Sequence, residues 1–411
     1  MLKLLADVTG KAVTLIITVA AARRLNADPF GVLAYAMATG WLIGVATDAG
    51  LSMHLARETA RDPGRGHRLL IEVISLRAGL AFFAATLLAL ASPYLVPAHW
   101  RLQFVVVVLA QLAAAVVETI AHYYRGLQRT DIESAIHTAY RLLTLLLASI
   151  VLWRWRRLDY LGIAMLTPAL IAAVVSLGIA SRLSPGAGSR EPGTGGREPG
   201  AGPLLTPSRL FRDVLPLGAG ILLSAVYFRI DVYFIQQWHG FQPVGGYNAA
   251  FRLVEAMRLL PAAVLAVTFP LLVQATDMQS LKRIGGRLTL AGAVLALISA
   301  AGGSVIIPLL YGETYAYAAP AFSILALALP LFFLNYALTH QVIGWDGQRA
   351  YLLIVVLALA GNIAANIALV PSRGIVGAAI ATVLTEIVVT AGCLFALWSK
   401  PVISRKAAIA S

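Results

Sequence analysis

The sequence predicts an all-α integral membrane protein: twelve transmembrane helices in two six-helix lobes related by a pseudo-two-fold axis along the membrane normal. Three observations predict it. Of 411 residues, 59% are hydrophobic and 12% charged, more apolar side chain than a soluble domain can hide, so a second apolar solvent is required. The apolar residues gather into twelve runs, each able to cross a hydrocarbon layer of ~30 Å, which takes roughly 20 helical residues. Finally, short motifs recur at equivalent places in the two halves of the chain.

The first run, 4–22, has the outline of a signal peptide, with Lys3 ahead of an apolar stretch ending Val19-Ala-Ala-Ala22. Asp7, Thr9 and Lys11 interrupt it where a signal would be most apolar, so a retained helix is expected. Runs at 30–56, 69–97, 102–124, 135–153 and 160–181 complete an N-terminal six-helix lobe, 1–183. Residues 184–203 repeat Arg-Glu-Pro-Gly and hold almost nothing to bury, so 184–210 is expected to be a disordered cytoplasmic linker. Runs at 211–238, 247–273, 288–310, 318–343, 350–370 and 374–398 build a C-terminal lobe, 211–398, and 399–411 is a cytoplasmic tail.

The halves echo each other. Pro29, Gly31 and Ala36 match Pro243, Gly245 and Ala250 at an offset of 214, and the stretch from Leu161 matches that from Arg373 at 212. Six spans per half, an even number, keep the repeats in one orientation, which puts the symmetry axis along the membrane normal. Two such bundles facing a central cleft form a transporter architecture; the alternative is a duplicated bundle with a packed core. With the amino terminus inside, basic residues divide 19 to 7 in favour of the cytoplasmic segments, so both termini are expected there. Arg154, Arg156 and Arg157 are the local exception.

Composition also excludes. A net charge of +13 would suggest nucleic acid in a soluble protein, but no basic stripe with interleaved aromatics is present. The single cysteine, Cys393, forms no internal disulfide and no cysteine metal site. His54 and His122 lack metal-ligand spacing, and no nucleotide-binding glycine-lysine loop occurs. No catalytic residue, metal site or cofactor is expected.

The intramembrane charges carry the functional reading. A charge at mid-bilayer costs at least ~2.5–3.5 kcal/mol, yet Lys11, Arg77, Arg141, Arg229, Arg252 and Arg258 lie in the runs, with Asp48, Glu118, Asp231, Glu255 and Glu386. Arg252, Glu255 and Arg258 follow one another at i+3, which sets Glu255 beside both arginines and leaves a surplus positive charge on one face. Arg229 and Asp231 are two apart and point to opposite sides of a helix, so one is expected to face a cleft while the other finds a partner on span eight. The alternative is that all these charges form satisfied interhelical pairs. Arg77 and Arg141 read as structural or snorkelling, Glu118 and Glu386 as protonated neutral acids or as proton carriers during transport, Asn362 and Asn366 as a polar face holding helices together, and Arg23 and Arg24 as headgroup anchors or mouth charges. An arginine excess in a membrane cleft suits a phosphate or pyrophosphate headgroup, which the guanidinium fork binds bidentately.

From "ARRLNADPFGVLAYA" and "TDAGLSMHLARETAR" through "RIDVYFI", "VGGYNAAFRLVEA" and "YGETYAYAAPAFSILALALP" to "NIAANIALVPSRGIVGAAIATVLTE", the chain resembles bacterial polysaccharide-export flippases, lipid-linked oligosaccharide flippases of the multidrug/oligosaccharidyl-lipid/polysaccharide exporter superfamily. The resemblance implies a cationic cavity and translocation of an undecaprenyl-(pyro)phosphate-linked oligosaccharide from the cytoplasmic to the outer leaflet of the bacterial inner membrane. It places Asp48, Arg229, Asp231, Tyr247, Asn248, Arg252 and Glu255 on the cavity helices; Lys11, Arg24 and Arg258 complete the substrate-binding candidates. Implied partners are the anionic lipid-linked oligosaccharide, membrane lipids, a proton or ion gradient acting through Asp48, Asp231 or Glu255, and polysaccharide polymerase components. A multidrug or cation antiporter of the same superfamily would favour cavity acids over arginines. A membrane glycan polymerase, ligase or glycosyltransferase would need a larger outer platform.

Overall fold

In the computed structural model the described residues are 2–183, 215–274, 279–345 and 347–399, and the secondary structure among them is helical throughout. The expected linker at 184–210 and nearly all of the 399–411 tail lie outside the described residues. The first half contains α1 (Leu2–Arg24), α2 (Ala27–Asp48), α3 (Leu51–Arg61), α4 (Pro63–Leu95), α5 (Arg101–Gly126), α6 (Thr130–Arg154) and α7 (Leu158–Leu183). The second contains α8 (Leu215–His239), α9 (Phe241–Met257), α10 (Leu259–Gln274), α11 (Gln279–Tyr311), α12 (Ala319–Leu327), α13 (Leu329–Gly344) and α14 (Gln348–Trp398).

Over their described residues all twelve apolar runs fall on helix, but several are broken. Among the described residues, eight helices are by themselves long and apolar enough to cross a membrane, or nine if α12 and α13, bent by 41°, act as one. The bend has a chemical cause: Pro330, at the start of α13, supplies no backbone N–H to the preceding turn and disfavours helical geometry in the residue before it. Pro261 acts in the same way beyond the α9–α10 break at Arg258, which takes a distorted helical ψ of −6°. At Asp48 the second run stops because Ala49 and Gly50 both have positive φ, 42° and 91°.

The 51-residue α14 is two antiparallel helices. Gly374 has φ 54° and ψ −134° inside it, a conformation that favours glycine. Asn362 donates to Thr385 at 2.9 Å, a Cβ on Gly392 would meet Ile354 at 2.9 Å, and one on Gly377 would overlap the Leu369 carbonyl. These pairs are symmetric about the break, so the chain doubles back there. Asn366 bonds the Asn362 side chain at 3.0 Å, and this polar ladder holds the hairpin together.

Outward faces confirm the solvent. Phe82, Phe83 and Leu90 of α4 are 62–76% exposed, and Leu297 of α11 and Phe395 of α14 are as open. Leaving side chains of this kind in water costs ~1.5–3 kcal/mol each, so these faces need lipid. The protein is a multi-pass membrane protein.

The helices form two compact units: Met1–Val13 with Thr39–Leu222, and Thr14–Ala38 with Leu223–Ser411. They do not coincide with the two sequence halves, because the end of α1 and the start of α2 pack with the C-terminal helices. Within that second unit the repeated motifs meet. A Cβ on Gly31 would overlap the Phe241 carbonyl, while one on Gly245 would sit 2.9 Å from Phe30 and 3.5 Å from the Ala27 carbonyl. Adding 214 carries Gly31 to Gly245 and Ala27 to Phe241. The α2–α9 crossing is therefore made reciprocally by equivalent residues, as a two-fold contact requires.

Candidate functional site

In the second unit, α8 and α9 are joined through Gly240, whose φ of 79° turns the chain back. α9 presents Tyr247, Phe251 and Glu255, four residues apart and so on one face. α8 answers with Asp231 and Arg229 in reverse order. Tyr247 donates its hydroxyl proton to Asp231 and lies 3.2 Å from the Thr382 hydroxyl of α14. The Arg229 guanidinium stacks 4.5 Å from the Phe251 ring and donates to Glu255 at 3.1 Å. Both α8 charges are buried. The expectation that one of the pair faces a cleft alone is thus corrected: each reaches span eight, because the arginine side chain is long enough to wrap from its own side of the helix.

Glu255 is shared. Arg252 donates to the same carboxylate oxygen at 2.8 Å, as the i+3 spacing predicted. Arg258 does not join them, because the helix ends at Met257 and turns its side chain away. Its guanidinium instead lies between two phenyl rings, 4.5 Å from Phe228 and 4.5 Å from Phe332. Among the described residues Arg258 makes no ion pair within 4.0 Å, and its Nη1 is buried without a hydrogen-bond partner, as is Arg252 Nε. Two guanidinium groups therefore share one carboxylate, and Arg252 and the separately held Arg258 each keep an unused buried N–H group. Such donors cost free energy until something accepts from them, and an oxyanion is the acceptor that matches their charge.

The other candidates fall elsewhere. Asn248 is buried on α9. Arg24 is exposed at the end of α1, and its neighbour Arg23 donates to the carbonyls of Leu309 and Leu310 at the end of α11. Lys11 and Asp48 belong to the first unit. Lys11 is exposed. Asp48 pairs with Arg77 at 2.9 Å, and its carboxylate accepts from the Gly50 and Ser52 N–H groups, each at 3.2 Å. It caps α3 across the break and neutralises a buried arginine. Arg77 is only 4% exposed and also donates to the Gly44 carbonyl at 2.9 Å and to Thr119; it is structural and does not snorkel.

Sequence reading named Glu118 and His122 singly but missed the group they belong to. α5 aligns Glu118, His122 and Arg125, and α6 aligns Glu133 and His137, along facing stripes of the first unit. The signal was present as Glu-x3-His spacing in both helices, which stacks the two groups one turn apart.

Residues 2–276 match the family described as polysaccharide biosynthesis protein. The chain belongs to that family. A relative within reach is "Probable flippase AglR" of Haloferax volcanii, 29% identical over 170 residues, which cover 38% of this chain and 34% of that protein. The match thus spans about a third of the relative's length. Among solved structures, "Lipid II flippase MurJ, inward closed conformation" superposes with a TM-score of 0.68 at 12% identity, covering 98% of this chain and 89% of that one. An inward-facing multidrug resistance MATE family transporter of the MOP superfamily gives 0.66 at 14% identity, covering 96% and 95%. The family member described here therefore has the fold these exporters share.

Proposed function

We propose that the protein is a flippase that moves an undecaprenyl-(pyro)phosphate-linked oligosaccharide from the cytoplasmic to the outer leaflet of the inner membrane by alternating access, for cell-surface polysaccharide synthesis. One observation carries the reading: Arg229 and Arg252 share the Glu255 carboxylate, and Arg252 Nε and Arg258 Nη1 are buried N–H donors left over. The fold is shared with multidrug transporters and does not discriminate; the charge favours the flippase reading. A cationic drug would find Glu255 already held by two arginines, whereas a phosphate finds donors waiting. A polyprenyl tail can stay in lipid while only the headgroup needs a polar route.

In this reading Arg258 and Arg252 grip the phosphate, Arg229 and Glu255 set the local field, and Tyr247, Asp231 and Asn248 hold α8 and α9 in register. Arg24, at the end of α1, attracts the headgroup, and Lys11, midway along that helix, adds positive charge in the first unit. Both termini are cytoplasmic, and a gradient of protons or other ions biases the cycle.

The test uses the full chain in sealed vesicles with a fluorescent undecaprenyl-pyrophosphate-linked sugar, scoring the fraction that a membrane-impermeant quencher can reach. Movement by the wild type and its loss in Arg252→Glu, with normal expression, is expected. Wild-type movement by Arg252→Glu would remove the arginine site from the mechanism. No movement by the wild type would remove the flippase reading itself.

A further inference from the structure

The facing stripes on α5 and α6 hold four acid–base groups around one arginine. Arg125 uses each of its nitrogens. Nε donates to Glu133 Oε1 at 2.7 Å, Nη1 approaches His122 Nε2 at 3.0 Å, and Nη2 donates to Glu118 Oε1 at 2.9 Å. His122 Nδ1 lies 2.9 Å from the Glu118 backbone carbonyl. A carbonyl only accepts and a guanidinium only donates, so His122 carries its proton on Nδ1 and accepts at Nε2. It is locked as the neutral tautomer and has no room for a second proton.

His137 has no such lock. Its Nε2 is buried without a hydrogen-bond partner and faces Glu118 Oε2 across 3.6 Å, too far for a hydrogen bond but within reach of a small helix movement. Glu133, one turn before His137 on α6, is only 4% exposed, and its Oε2 also has no partner. A base with an unused buried nitrogen thus stands near two carboxylates, that of Glu133 with a buried oxygen left over and that of Glu118 half-exposed. One proton on His137 Nε2 would turn its 3.6 Å approach to Glu118 Oε2 into a charged pair.

The surroundings are balanced for this. The other charged groups in electrostatic reach are Asp48 on α2, Arg77 on α4 and Arg141 further along α6. From α1, Gly10 packs against Arg141, with Lys11 next in sequence. Glu118, Glu133 and Asp48 offset Arg125, Arg77 and Arg141, so the cluster is neutral while both histidines are neutral. Only a bound proton charges it. No group of three metal-ligating side chains is found among the described residues.

We propose that His137 and Glu118, positioned by Arg125 and Glu133, form a proton-binding site in the first unit, and that protonation draws α5 and α6 together. It rests on the transport reading for its use, since binding there is how a proton gradient would act on the cycle. It moves that coupling away from Asp48, Asp231 and Glu255, which are occupied by Arg77, Tyr247 and two arginines.

The test has two arms. First, infrared difference spectra of the intact protein in lipid, between pH 8 and pH 5.5, read protonation without any substrate. Expected are imidazole and carboxylate bands that vanish in His137→Gln, a carboxylate band lost in Glu118→Gln but kept in Glu118→Asp, and bands unchanged in His122→Gln. Identical spectra for wild type and His137→Gln, or the same bands raised by sodium at constant pH, would overturn the proposal. Second, in the vesicle assay, an imposed pH gradient should speed wild-type movement and leave His137→Gln at its no-gradient rate. Movement that responds to the gradient equally in both overturns the coupling. Absence of movement in every sample refutes the transport reading, and the spectra still decide the proton site.

Discussion

Replacing Glu255 by glutamine removes the one carboxylate shared by two buried guanidiniums while keeping the size of the side chain. Arg229 and Arg252 approach it at 3.1 and 2.8 Å, where the gross attraction per pair is ~5 kcal/mol at an effective dielectric of about 20. Desolvation cancels part of this, and the glutamine oxygen still accepts a hydrogen bond. Removing one partner of a buried pair costs ~3–5 kcal/mol, and about 3 kcal/mol is expected here. The same change adds one unit of positive charge beside Arg252, whose Nε is a buried donor without a partner. At ~5 Å and the same dielectric that charge strengthens an anion by about 3 kcal/mol per unit of ligand charge, or roughly 100-fold in affinity. Glu255→Gln should therefore denature at a lower temperature than wild type when anion-free, and gain more from inorganic pyrophosphate. Thermal denaturation in detergent with and without pyrophosphate, at fixed ionic strength, measures both. Wild-type stability together with unchanged or weaker pyrophosphate stabilisation would refute the reasoning, because the carboxylate would then be neither pairing the arginines nor competing with the ligand.

Three further outcomes follow from packing and charge. Gly31→Ala drives a methyl group into the Phe241 backbone, which cannot yield as a side chain can; a loss at the upper end of the ~1–3 kcal/mol range for overpacking is expected, whereas Gly361→Ala, with open space around it, should be neutral or stabilising by up to ~1 kcal/mol through helix propensity. Asp48→Asn should cost ~3–5 kcal/mol by leaving Arg77 buried and unpaired, and the double change with Arg77→Met should recover most of it, read as a double-mutant cycle in thermal denaturation. Gly374→Ala should cost ~1–2 kcal/mol by forcing a side chain into positive φ, and helicity measured by circular dichroism should stay at the wild-type value because the hairpin bonds on either side remain.

How much of this was legible in the sequence differs between residues for a physical reason. The i+3 spacing of Arg252 and Glu255 foretold their bond, since both sit on one helix and local geometry is fixed by the 3.6-residue period. The same rule failed for Arg258, where Pro261 ends the period within a turn. The repeat motifs around Gly31 and Gly245 were visible as an offset of 214, but nothing in the offset says that the two copies touch. Asp48 looked like a cavity charge because its partner lies 29 positions away on another helix.

The sequence by itself determined the solvent, the helical runs, the duplication and the arginine surplus, because these depend on composition and on spacing along one element. Only the tertiary structure decided which charges neutralise each other, since an arginine side chain can satisfy any acid that folding brings within a few ångströms. It assigned Asp48 to Arg77, gave one carboxylate to two guanidiniums, set Arg258 between two rings, and left His137 facing Glu118. These pairings are long-range, and each depends on the crossing of helices whose contacts no single stretch of chain encodes.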